Sequence, residues 1–193
     1  MFMIPLGLVI AVSTRVGNEL GAGNAASARR ATVCAMGLAL AVTAANGGIL
    51  FGFRDAFARS FVPPANESLY ALVNSFVPYL LAYHVLDGLC EVVNGAFEGM
   101  GRQQLAFPVI LVSHFAIGIP VSVVLGFRCG LGVVGLIIGR VVGKTINTVV
   151  FLALIARTDW DLECERAARL VEESGAAADG GRGESAPLLA DAP

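Results

Sequence analysis

Charge is scarce in this sequence. Asp, Glu, Lys and Arg supply 15% of its 193 residues, against about 25% in a soluble domain. The scarcity is uneven: residues 31–53, 68–86 and 103–127 contain no Asp, Glu, Lys or Arg at all. The first and last of these runs each exceed the ~20 residues needed to cross a bilayer core. With 56% hydrophobic residues and a mean hydropathy of +0.74, a soluble globular fold is excluded. An all-α, polytopic, integral membrane helical bundle is implied, with lipid as its main partner. Excess positive charge is lacking too. The net charge is −2, so no surplus of cations is left to neutralise phosphates, and a nucleic-acid partner is excluded. Cysteines are few and scattered. Cys34, Cys90, Cys129 and Cys164 form no CxxC and no Cys/His spacing, which argues against a metal site or a disulfide framework. They read as small apolar fillers. Met1 opens directly into an apolar run with no basic flank ahead of it, so no signal peptide is expected. The Gly-rich stretch at residues 15–30 lacks the GK[ST] ending of a phosphate-binding loop and follows no strand. No nucleotide or other cofactor is expected.

What is present, against this apolar background, is a row of acids. His84, Asp87, Glu91, Asn94 and Glu98 advance by 3, 4, 3 and 4 residues, which on a helix confines them to an arc of roughly 80°. Val85, Leu86, Leu89, Val92, Val93 and Ala96 take the remainder, suited to lipid or to packed helix. A carboxylate at membrane depth costs about 2.5–3.5 kcal/mol on insertion scales, so it faces an interior or a cavity. Two readings stay open: a proton or cation site at Asp87, Glu91 and His84, or structural acids with a partner on another helix. Arg140 and Lys144 offer that partner. If the spans at residues 72–98 and 132–156 run in the same direction, Lys144 and Asp87 share a depth.

The spans follow from hydropathy. Residues 1–14 are apolar but short for a crossing. Residues 15–30 read as a helix end and a loop carrying Arg15, Arg29 and Arg30. Further spans are expected at 31–53, 72–98, 105–127 and 132–156, with Pro78 kinking the third and Pro63-Pro64 breaking the chain before it. Gly135, Gly139 and Gly143 make a GxxxGxxxG face for close helix contact. His114 reads as a satisfied packing or cavity residue. Residues 1–157 thus form the membrane bundle. Residues 158–173 read as a juxtamembrane helix capped by Thr158 with Asp161 and anchored by Trp160. Residues 174–193 read as a disordered tail, with an ExxxLL sorting pattern at Glu184–Leu189. Basic residues place residues 15–30, Arg102 and the C-terminus on the cytosolic side. The sequon at Asn66 falls in the loop on the other side.

Four stretches together are similar to the multidrug and toxic compound extrusion (MATE) family, in its eukaryotic branch. IPLGLVIAVSTRVGNELGAGN, with Arg15, Gly17, Asn18, Gly21 and Gly23, resembles the motif that ends the family's eighth helix. Asp87 with Gly95, Gly99, Gly101 and Gln103 resembles its tenth-helix pattern. Gly118, Pro120, Leu125 and Phe127, followed by GLGVVGLIIG, resemble the run through helices eleven and twelve. Thr158-Asp159-Trp160 resembles the family's (T/N)(D/N)W ending. Glu98, His114-Phe115, Ile110 and Ile137 depart from the family's Arg, Tyr-Tyr, Asn and Trp.

The resemblance implies part of the C-terminal lobe: a partial eighth helix and helices nine to twelve of a twelve-helix, two-lobed fold. It implies a secondary antiporter in a plasma, endosomal or vacuolar membrane. Such a protein exports small organic solutes, often cationic, in exchange for protons, with Asp87 as coupling acid. Sodium in place of the proton is an alternative, since carboxylates and Asn94 ligate either ion. Others are a truncated product lacking the N-terminal lobe and not transporting by itself, and a dimeric, channel-like module built on the glycine face.

Overall fold

The computed structural model describes residues 3–61 and 66–184, with side chains described at 6–60 and 66–173. The expected break at Pro63-Pro64 lies outside the described residues, as do the Leu188-Leu189 end of the sorting pattern and the last part of the expected tail.

Every described element is helical. The order is α1 (Met3–Gly21), α2 (Ala25–Gly52), α3 (Arg54–Phe61), α4 (Glu67–Gly99), α5 (Gln103–Leu111), a π-helical segment (Val112–Gly118), α6 (Ile119–Val123), a second π-helical segment (Val124–Arg128), α7 (Gly132–Ala156) and α8 (Trp160–Glu184). Four units are long and apolar enough to cross a membrane: Ala25–Gly52, Glu67–Gly99, Gln103–Arg128 and Gly132–Ala156. At most 33% of the most apolar window in each is buried within the bundle. The rest faces out of the bundle and is apolar enough for lipid or another packed helix, which is why the sequence can be apolar around most of each helix.

The connection from α1 to α2 is shorter than expected. Residues 15–30 are helical on both sides of a turn at residues 22–24. Gly23 takes φ +73, and the Asn24 side chain caps α2 by accepting from Ser27 N at 3.2 Å. A Gly–Asn pair is enough to reverse two helices when one residue takes the left-handed region and the next satisfies the free amides. A correction also applies to α8. Its cap is Asp159, whose carboxylate accepts from Asp161 N and Leu162 N at 3.1 and 3.3 Å. Thr158 instead turns back to donate to Leu154 O at 2.9 Å. The helix then continues past Glu173 to Glu184, through Ala176, Ala177 and Ala178, which are strong helix formers.

Packing without a hydrophobic drive needs close backbones, and glycine supplies them. α7 lies against the fourth span: a methyl on Gly135 would fall 2.6 Å from Gly126 N, and one on Gly143 would fall 2.8 Å from Ser113 O. Ser122 donates to Leu136 O at 3.0 Å across the same seam. The GxxxGxxxG face is therefore filled within the chain, which corrects the reading of it as a seat for a second copy. On the other side, α1 crosses α4 with Gly17 against Gly99 O and Gly95 against Val9 O. The core between them holds Val12, Val16 and Leu20 of α1, Val92, Val93, Ala96 and Phe97 of α4, and Phe151 of α7. Phe97 and Phe151 meet edge to face, centroids 5.5 Å apart.

Candidate functional site

The site grows from the way α4 and α7 lie together. They run in the same direction, and paired residues keep a constant separation in sequence: Tyr83 with Arg140 and Cys90 with Asn147 are each 57 apart. Gly143 is pressed against Ser113 and Gly118, which fixes the rotation of α7 and turns its neighbour Lys144 onto α4.

Lys144 Nζ lies 2.7 Å from Asp87 Oδ1 and 3.4 Å from Glu91 Oε1. The lysine side chain is 5% exposed, against 20% for Asp87 and 34% for Glu91. One buried cation is thus held by two carboxylates that keep an open side. Cost and gain both follow from this. Two acids at i and i+4 repel each other in a low dielectric, and the ammonium between them removes that repulsion. Thr148 donates to Leu86 O and Lys144 O at 3.3 and 2.9 Å, and Asn147 donates to Cys90 Sγ at 3.3 Å, so the polar seam continues beyond the ions.

The rest of the predicted row disperses. Asn94 donates to Glu98 Oε1 at 3.2 Å along α4. His84 is part-buried, and its Nε2 has no hydrogen-bond partner among the described residues. Arg140 is not on the acids: its guanidinium lies over the Tyr83 ring at 5.1 Å and donates to the Tyr83 hydroxyl at 3.3 Å. One helical turn separates Arg140 from Lys144, and that turn is enough to put the guanidinium beside an aromatic. His114 lies on the fourth span with Nδ1 3.1 Å from Ile110 O. The resemblance residues Gly17, Gly95, Gly99 and Gly118 are at helix crossings, while Gly101 takes φ +69 and ends α4. Gln103 starts α5 and Pro120 lies in the first turn of α6.

Two features escaped the sequence reading. The first is the Glu163 carboxylate on α8, 3% exposed and paired with Arg102 at 2.8 Å and Arg166 at 3.3 Å. An acid within the stripe Trp160, Cys164 and Ala167 was the signal for it. The second is a groove of about 550 Å³ between α1 and α2, lined by Leu8, Arg15, Ser27, Arg30 and Leu38 among others, and by none of the acids.

The model of the MatE family matches residues 1–124. Among curated relatives, the chain is 32% identical over 167 residues to Multidrug and toxin extrusion protein 1 of Mus musculus, covering 86% of this chain and 29% of that one. It is 34% identical over 169 residues to Protein DETOXIFICATION 41 of Arabidopsis thaliana, covering 88% and 33%. The chain thus spans about a third of the length of the relatives it matches. Its structure superposes on the crystal structure of the eukaryotic MATE transporter AtDTX14 with TM-score 0.80 at 33% identity, covering 87% of this chain and 37% of that one. An inward-facing multidrug resistance MATE family transporter shares the fold at TM-score 0.72 and 18% identity.

Proposed function

The chain belongs to the MatE family, and on that premise we propose that it is the ion-coupling part of a membrane antiporter that exchanges protons for small organic solutes. The observation that carries this is the Asp87–Lys144–Glu91 cluster, inside a span yet open on the carboxylate side. Lys144 acts there as a resident cation. A proton on Asp87 removes the charge that holds the lysine, and an organic cation at the carboxylates competes with the same lysine. Either event changes how α4 sits on α7. Two repeats rocking about a midplane site turn such a change into alternating access. Glu91, four residues on, shares the load of holding Lys144. His84 lies one turn away on the same helix. The C-terminus is on the cytosolic side in this reading, and the α3 end faces out.

The test is a chimera in which residues 1–170 replace the matching part of the mouse relative. In liposomes with an imposed pH gradient, it should take up a fluorescent organic cation, and Asp87→Asn should reduce that uptake to background with insertion unchanged. Full pH-driven uptake by Asp87→Asn sinks the assignment. Uptake that follows a sodium gradient and ignores pH replaces the proton with sodium.

A further inference from the structure

The Arg102–Glu163 pair joins residues 61 apart in sequence. Glu163 lies on the stripe of α8 that faces the bundle, where Trp160, Cys164 and Ala167 pack against the core. A carboxylate there takes the place of an apolar side chain and is tolerated only if paired. Arg166 belongs to α8 itself and is half exposed, so it ties the acid to nothing beyond its own helix. Arg102 is different. It follows Gly101, where α4 ends, and its amide donates back to Phe97 O at 2.8 Å. Its position is therefore tied to the last turn of α4. That turn crosses α1 at Gly99 and Gly17, and α1 packs on α8. The contacts close a triangle: α4 on α1, α1 on α8, and α8 back to α4 through one ion pair.

We propose that Glu163 is a positioning residue for the Asp87–Lys144 site: acting through Arg102, it fixes the end of α4 and with it the height and rotation of Asp87 against Lys144. The proposal takes from the antiport reading only that Asp87 is the coupling acid. About twelve residues of helix, about 18 Å at 1.5 Å each, separate Asp87 from Gly99 at the end of α4, and Arg102 sits in the turn beyond it. Along that length α4 is held by α2 at Gly88, by α1 at Gly95 and Gly99, and by α7 at Asp87, Cys90 and Phe97. A shift at its end is carried along it instead of being absorbed.

The experiment uses the full chain in nanodiscs and two single-cysteine versions, one keeping Cys90 and one keeping Cys164, labelled with a membrane-permeant maleimide. Cys90 is 2% exposed and lies on α4 one turn from Asp87. Glu163→Gln should raise labelling at Cys164 because α8 loosens. It should also raise labelling at Cys90 by about tenfold, the population change that follows loss of a charge-assisted hydrogen bond. The exchange Arg102→Glu with Glu163→Arg, made with Arg166→Gln to avoid a new repulsion, should bring Cys90 back near its starting rate. A rise at Cys164 with Cys90 unchanged overturns the proposal, since Glu163 then only anchors α8. A rise at Cys90 that the exchange does not reverse overturns it too. Should Glu163→Gln fail to give monodisperse protein, Arg102→Lys keeps the charge and shortens the fork. Faster labelling of Cys90 in that variant supports the proposal, and an unchanged rate overturns it. No transport is measured, so the outcome is independent of whether Asp87→Asn abolishes uptake.

Discussion

The two halves of α4 live in different surroundings. From Glu67 to Leu86 no residue of the helix is buried, and Leu69, Leu72, Tyr79 and Leu80 are exposed. From Gly88 to Gly99 the helix buries Gly88, Cys90, Val92, Val93, Gly95, Ala96 and Phe97. Asp87 stands at the change. Its inner neighbours are held by α2 and α1 at glycine-limited distance and by α7 through side chains, while none of its outer neighbours is buried. The packed half holds Asp87 in register with Lys144, and the loose half contributes no buried residue to that hold.

The largest test of this contrast is to damage each half in turn. Gly99→Leu needs space already taken by Val16 and the backbone of Ser13 and Gly17. It should cost more than about 3 kcal/mol and leave little monodisperse protein, because overpacked backbone crossings cannot repack. Leu80→Ala in the loose half should change stability by less than about 0.5 kcal/mol. Thermal unfolding in detergent measures both, and equal effects would erase the distinction.

The next test is at the boundary. Lys144→Met leaves Asp87 and Glu91 facing each other without a cation. The acids keep an open side, so the loss should be about 1–3 kcal/mol, between the values for surface and fully buried pairs. Asp87→Asn added to Lys144→Met should recover part of it. A double variant no more stable than the single one would mean that the pair does not set the boundary.

The smallest effect belongs to the outer end. Asp55 on α3 accepts from Tyr70 at 2.7 Å and from Asn74 at 3.4 Å, both on α4. The Tyr70 hydroxyl is the main cause that holds the Asp55 carboxyl below its usual 3.8, helped by Asn74, Arg54 and Arg59 and opposed by desolvation. A carboxyl depressed on folding stabilises above its unfolded value and loses that contribution as pH falls through the lower folded one. Hydrogen exchange along α3 should therefore quicken only below about pH 4. Asp55→Asn should flatten that response while leaving residues 88–99 untouched.

Much of this was legible in the sequence because lipid imposes long apolar periods. The bounds of α7 fall where hydropathy places them, and the meeting of Lys144 with Asp87 follows from equal depth on parallel spans. What hydropathy could not carry is rotation and short-range capping. Arg140 shares a face with Lys144 in sequence, yet it stacks on Tyr83 because the tilt of one helix turn decides its neighbour. The α1–α2 loop shrinks to a turn because Gly23 and Asn24 satisfy in three residues what composition spread over sixteen. Glu163 was hidden because one acid among several in a charged amphipathic helix reads as surface until the packed face is known.

The two π-helical stretches of the fourth span carry a consequence for how that span is specified. Ser113, Gly118, Ser122 and Gly126 are all buried, and Ser113 and Gly126 approach Gly143 and Gly135, about two turns apart on α7. On an unbroken α-helix, Ser113 and Gly126 would point about 140° apart. The wider turns act as a vernier, resetting the phase of the helix so that distant small residues align along one straight seam. What the sequence encodes here is a residue count as much as a set of side chains. A point change inside Val112–Gly118 can leave the phase intact. Deleting a single residue there rotates everything beyond it by about 100°, turning the seam of glycines and serines out toward the lipid.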